Sequence, residues 1–286
     1  MRVFVVGGTG AIGRLLIPML VEAGHEVAAT TRRAHRAGSL AELGAEPVAV
    51  DALNAAALTK EVRNAGPEVV ICQVTSLAGD LSRFAELIEE NARVRPVATA
   101  NTVAAAEAAG ARTVVVQSIA FSYGPGDGLA DEAEPPRDDE DARAAFATDD
   151  VALASELAVV VARYGHFYGP GTWYARDGAA AEALRAGALP IAGRGEDSLV
   201  HVADAADATV ALIEGDVSGI YNVVDDEPVA QGTWIPAFAE AVGAPPPSQA
   251  EPFEPPRRGA SNARIKAELG WSPRFPSWRE GFRDGL

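Results

Sequence analysis

The opening thirteen residues constrain this chain more than any other stretch. Val3, Phe4, Val5 and Val6 form an apolar run that reads as a buried strand, and Gly7-Gly8-Thr9-Gly10-Ala11-Ile12-Gly13 follows as a glycine-rich turn. The apolar stretch 12–21 then reads as a helix. Each spaced glycine has a separate task. Gly7 permits the sharp exit from the strand, Gly10 lets backbone approach a pyrophosphate, and Gly13 lets the helix lie close to the sheet. The backbone of Thr9, Gly10, Ala11, Ile12 and Gly13 is therefore the expected phosphate cradle, at the positive end of a helix dipole. Pro18 is a local conflict, because a proline inside a helix normally kinks it.

At 286 residues the chain has ample length for a large core, and its formal charge of −16 argues against a nucleic-acid or anionic-membrane surface. The lone Cys72 cannot form an internal disulfide, which fits a reducing cytoplasm, and its apolar surroundings make it a small core side chain. No apolar run reaches membrane-spanning length and the first residues read as a strand. Neither signal peptide nor anchor is expected, and the expected location is cytoplasmic.

Further strands read at 26–31, 46–50, 67–74 and 113–117, separated by helical patterns, with a long one over 81–109 that Pro96 interrupts. Such alternation predicts a parallel sheet with right-handed crossovers. The second strand ends Thr30-Thr31-Arg32-Arg33, with no acid to bind a ribose 2′-hydroxyl. Basic residues there accommodate a 2′-phosphate, so NADP(H) is favoured over NAD(H), the alternative being a solvated basic turn. Val74 and Thr75 stand at a strand's carboxyl end, where open α/β sheets bind ligands. Nine acids against two arginines between 131 and 150 suggest a surface excursion or lid over 125–150. Helix is expected at 151–161 and a short sixth strand at 162–166. Beyond 172 the pattern holds helices near 175–187, from Asp204 as N-cap, near 232–242 and at 260–269. Strands are expected at 198–202 and 219–224, and a proline-rich connector at 245–256.

These landmarks resemble the extended short-chain dehydrogenase/reductase superfamily, in its NAD(P)-dependent epimerase/dehydratase group. The resemblance rests on the turn 7–13, Asp51, Ser118 with Tyr123-Gly124, Arg163-Tyr164, Tyr168-Gly169-Pro170-Gly171, Val200-His201-Val202-Ala203-Asp204, Tyr221-Asn222-Val223 and Glu268-Leu269-Gly270-Trp271-Ser272-Pro273. It implies a Rossmann-type doubly wound α/β sheet over 1–165 and a smaller substrate-binding part over 166–286, whose strand near 219–224 returns to the sheet. It also makes Asp51, Ala52 and Leu53 adenine neighbours.

In that family a Ser, a Tyr and a Lys perform the chemistry, the last two spaced Tyr-x-x-x-Lys. Ser118 matches the Ser. Counting back from Glu156 puts Thr148 and Ala152 where the dyad belongs, and no Tyr-x-x-x-Lys exists in this chain, whose two lysines are Lys60 and Lys266. The chain resembles an atypical member. Tyr123 is the first candidate proton donor and Tyr168 the second, with His166, Trp173 and His201 on neighbouring turns. A structural hydrogen-bonding role is the expectation for His201. Asp197 stands where nucleotide-sugar enzymes carry an Arg, so charge repulsion opposes such a substrate, unless Arg194 substitutes.

The expected function is an NADP(H)-dependent oxidoreductase or epimerase acting on a carbonyl or hydroxyl of a small non-nucleotide metabolite. Ser118 would serve both substrate and cofactor. The alternatives are an isomerase or lyase without net redox, and a nucleotide-binding sensor. A small-molecule substrate is the expected partner, with no nucleic acid, membrane or metal, and a homodimer left open.

Overall fold

A computed structural model describes residues 1–77, 81–251 and 256–286, with the side chain of Ser82 also outside the description. In chain order the elements are β1 (Arg2–Val6), α1 (Gly13–Glu22), β2 (Glu26–Thr31), α2 (Ala37–Glu42), β3 (Glu46–Ala49), α3 (Ala55–Ala65), β4 (Val69–Cys72), α4 (Phe84–Ala109), β5 (Thr113–Ile119), α5 (Glu140–Leu153) and β6 (Ala158–Tyr164). There follow β7 (His166–Tyr168), α6 (Ala179–Arg185), β8 (Glu196–Asp197), β9 (Leu199–His201), α7 (Val202–Glu214), β10 (Gly219–Val223), β11 (Val229–Ala230), α8 (Gln231–Ala241), α9 (Ala263–Leu269) and α10 (Trp278–Asp284).

Seven strands form one parallel sheet in the order β10-β6-β5-β4-β1-β2-β3. β4 is buried at every residue and β1 at all but its first, the signature of strands covered on both faces. Leu16, Ile17 and Leu20 of α1 and Ala205, Ala208 and Leu212 of α7 cover one face. Leu58 and Val62 of α3, Ala98 to Ala106 of α4 and Ala152 of α5 cover the other. A separate apolar core gathers Leu184, Trp234, Phe238, Trp278 and Phe282 from α6, α8 and α10.

Asn54 starts α3 by accepting from the Ala57 amide, and Gly66 ends it in the left-handed conformation. α1 and α4 continue through Pro18 and Pro96. Since proline donates no hydrogen bond, the carbonyls one turn earlier, at Arg14 and Ala92, lose their helical donor.

Several expected boundaries shift. Residues 140–153 are helix and β6 begins at Ala158, so the helix lies earlier than the pattern at 151–161 indicates. The expected lid is in part this helix, capped by Asp139. The loop before it is tied down by Arg258, which donates to the carbonyls of Asp127, Gly128 and Leu129. Asp204 is not an N-cap: His201 caps α7, and Asp204 accepts the amides of Arg274 and Phe275. α10 has no counterpart in the sequence reading, and part of the connector 245–256 lies outside the described residues. No described helix is long and apolar enough to cross a membrane.

Candidate active site

The strands all end on one edge, and the predicted cofactor residues meet there. Gly7 has φ +93°, and a Cβ on it would stand 2.9 Å from the Gln73 carbonyl oxygen. A Cβ on Gly13 would stand 2.5 Å from the Gly8 carbonyl oxygen, so α1 is seated directly on the turn. Thr30 fixes that turn, its hydroxyl accepting the Gly7 amide at 2.9 Å and its carbonyl the Gly8 amide at 3.1 Å. No side chain caps the N-terminus of α1, so its positive dipole end stays open to an anion.

Arg32 and Arg33 project into solvent from the end of β2, and neither forms an ion pair among the described residues. Asp51 accepts the Leu53 amide, Leu53 is exposed beside it, and Ala52 is buried with its carbonyl accepting from Asn101. Val74 and Thr75, half-buried, continue β4 next to the glycine turn. The cradle, Arg32 and Arg33, the turn 51–53, and Val74 and Thr75 thus line the crevice where chain order reverses across β1 and β4. Close backbone, an uncapped helix end and basic residues in line with it fit a dinucleotide.

Ser118 lies near the end of β5, fully buried, with Arg95 Nη2 of α4 3.5 Å from its hydroxyl oxygen. Asp149 of α5 lies close to it. Asp149 pairs with Arg163 of β6 at 2.9 Å, and both are almost wholly buried. Burial pushes the Asp149 carboxyl up, while Arg163 pulls it down.

Both tyrosines expected to donate a proton face inward, which corrects that expectation. Tyr123 is fully buried; its hydroxyl donates to Asn222 Oδ1 at 2.6 Å and accepts from Arg163 at 2.9 Å. Burial raises its pKa further. Tyr168 is fully buried between His201 and Phe282, its hydroxyl pressed against Gly281. Burial, with Asp225 beyond it, raises that phenol far above its usual range. Glu156, from which the register is counted, lies in the turn after α5. Thr148 spends its hydroxyl on the Ala144 carbonyl and Ala152 packs beneath the sheet.

His201 is structural, as expected: Nδ1 accepts the Ala203 amide and Nε2 donates to the Gly285 carbonyl. Asp197 is buried and neutralised. Arg257, not Arg194, pairs with it at 2.7 Å, His166 stands at 3.6 Å, and Trp234 Nε1 donates at 2.9 Å. Burial pushes this carboxyl up, but His166 and Arg257 more than reverse that and hold it well below the usual range. The charge of Asp197, from which repulsion of a nucleotide sugar is expected, is thus met by groups of the protein itself. Phe121 stacks on His166 at 3.9 Å with 13° between planes, and Arg257 stands over the same ring at 5.8 Å. Phe121, Arg95 and Arg257 stand among these candidate residues, and the sequence does not single them out. An aromatic ring two residues before Tyr123 was the available signal for Phe121.

This sheet, with its glycine-rich turn seated on α1 at the reversal of strand order, defines a Rossmann-type dinucleotide-binding enzyme. The sequence pattern of the NAD dependent epimerase/dehydratase family matches residues 3–223, and the chain belongs to that family. A Streptomyces sp. protein named 3-diazoavenalumate denitrifying reductase is 41% identical over 304 residues, covering 98% of this chain and 99% of its own. Among solved structures, the Thermus thermophilus UDP-glucose 4-epimerase complexed with NAD has TM-score 0.80 at 26% identity, covering 99% of this chain and 97% of its own. The dTDP-glucose 4,6-dehydratase of Streptomyces venezuelae shares the fold at TM-score 0.82 and 21% identity, covering 100% of this chain and 95% of its own. The protein is accordingly an NAD(P)-dependent enzyme.

Proposed function

We propose that the protein is an NADP(H)-dependent reductase of a small, non-nucleotide carboxylic acid bearing a diazo group, which it replaces with hydrogen. The observation that carries this reading is the 41% identity to a denitrifying reductase across nearly the whole of both chains. The inward-facing tyrosines agree with it. Reducing a carbonyl requires a proton at its oxygen, the task of the family's Tyr. Replacing a diazonium group requires none: one C–H bond forms, the C–N bond breaks, and its electron pair leaves with dinitrogen. A neutral diazo form takes up one proton in addition, which balances the charge of the hydride.

When bound, the nicotinamide supplies that hydride. The residues of this chain bind and orient. The glycine turn and the end of α1 hold the pyrophosphate, Arg32 and Arg33 the 2′-phosphate, and Ala52 and Leu53 the adenine. Ser118 marks the reacting end. Phe121, stacked on His166, offers an aromatic wall there.

The test uses 3-diazoavenalumate and NADPH carrying deuterium at C4. The expected products are dinitrogen and a diazo-free acid with deuterium at the carbon that bore nitrogen. Nitrogen loss without deuterium, or no turnover, would overturn the diazo reading.

Cofactor choice has its own test. Charge-assisted bonds to the 2′-phosphate are worth about 1.5–3 kcal/mol, so Arg32→Ala should weaken NADPH roughly tenfold or more and leave NADH nearly unchanged. Calorimetric titration of both cofactors measures this, and equal affinities in the wild type would contradict the preference.

A further inference from the structure

The charges around Ser118 do not balance. Two guanidinium groups, Arg95 and Arg163, are buried there with one carboxylate, Asp149. Arg163 is well satisfied: its Nε bonds to Asp149, and Nη1 to the Tyr123 hydroxyl and the Glu132 carbonyl. Arg95 is not. It is 8% exposed, its Nε has no hydrogen-bond partner, and its one hydrogen bond among the described residues is the long one to Ser118 at 3.5 Å. An unpaired buried charge is costly, and a guanidinium has five donors to satisfy.

The position of this group is informative. Cys72 of β4 pairs in register with Val116 of β5, so two residues on Ser118 is level with Val74, at the lip of the cofactor crevice. Pro96 follows Arg95 directly and breaks the hydrogen-bond ladder of α4 at that turn. A cation is thus held on α4, beside the serine at the reacting end, with donors to spare.

We propose that Arg95, with Ser118, is the subsite that receives an anionic oxygen of the substrate. This rests on the reductase reading for the substrate's identity but not for the subsite's existence. The planar fork of a guanidinium suits an oxyanion, either the carboxylate or an oxygen conjugated to the reacting carbon. In the second case it stabilises the negative charge that arrives with hydride. Desolvation lowers the pKa of Arg95, and the nearby Asp149 carboxylate, already paired with Arg163, offsets this only in part.

The experiment compares wild type, Arg95→Met and Arg95→Lys. In the NADP⁺-loaded protein, Arg95→Met should weaken calorimetric binding of avenalumate, the diazo-free acid, by about tenfold or more. Arg95→Lys should recover part of that loss, and NADP⁺ affinity should stay unchanged. The methyl ester of the acid separates the two oxygens. Loss of Arg95 dependence with the ester identifies the carboxylate, and retained dependence identifies the conjugated oxygen. The ligand-free melting temperature of Arg95→Met should equal or exceed that of wild type, because an unpaired charge has gone. Sodium formate, against sodium chloride at equal ionic strength, should raise the melting temperature of wild type but not of Arg95→Met. Avenalumate affinity unchanged in Arg95→Met, or a melting temperature lowered by about 5 °C or more, would overturn the subsite and make Arg95 structural. If wild type neither binds the acid nor turns over its diazo form, the diazo reading fails, and formate response with ligand-free stability decides the subsite alone.

Discussion

Asp197→Ala should lower the melting temperature by about 5–8 °C, a loss of roughly 3–5 kcal/mol spread over a chain of this size. The carboxylate is 2% exposed and has three partners on separate elements: Arg257, His166 and the Trp234 indole. Removing it leaves the Arg257 guanidinium partly buried without this counter-charge, and leaves the indole N–H without its acceptor. Asp197→Asn, which can keep the Trp234 bond, should lose less. The effect carries a pH signature. The folded carboxyl titrates well below its unfolded value, so its contribution is fully present above the unfolded pKa of about 3.9. It fades as pH falls toward the folded value. Melting curves of wild type and variant should therefore differ most near neutrality and converge in acid. A constant gap across pH, or a shift of only one or two degrees, would show that the pair contributes little.

Gly13→Ala should weaken cofactor binding by roughly ten- to a hundredfold. The added methyl meets the Gly8 carbonyl oxygen at 2.5 Å and its carbon at 2.7 Å, and both are backbone atoms that cannot swing aside. Either α1 lifts from the turn or the turn deforms, and both disturb the phosphate cradle. Overpacking of this kind costs about 1–3 kcal/mol, or roughly ten- to a hundredfold in affinity. Gly10→Ala provides the contrast, because its nearest protein neighbour, the Gly7 carbonyl oxygen, lies at 3.4 Å. That variant should fold normally, and its effect should come from contact with cofactor alone. Calorimetry with NADPH and a thermal scan without it separate the two. Unchanged affinity in Gly13→Ala would mean that the cradle is softer than its contacts indicate.

The cofactor half was legible because its determinants are local. A strand, a glycine turn and a helix adjoin in sequence, and Arg32 and Arg33 end the next strand. The chemistry was less legible because its determinants are distant. The direction of Tyr123 depends on Asn222 and Arg163, from strands formed much later in the chain. Arg95 reads as a solvent-facing charge in any helical pattern, and only its packing against β5 reveals burial. The boundary at 153–158 was misplaced because an alanine-rich helix runs almost directly into a valine-rich strand. Neighbours β5 and β10, not composition, decide where β6 starts.

The place of β10 has a consequence for the order in which this molecule becomes competent during synthesis. All four strands around the cofactor crevice lie within the first 72 residues, so the nucleotide cradle can assemble early. β6, paired with β5 on one side, then waits for its second partner until residues 219–223 emerge. In that interval it presents an open, valine-rich edge, the kind of surface that pairs with other chains. Asn222 arrives with the same strand and carries the bond that holds Tyr123 inward. The elements of the nucleotide cradle thus precede those of the reacting end in the chain, and until β10 is added one flank of the sheet stays open.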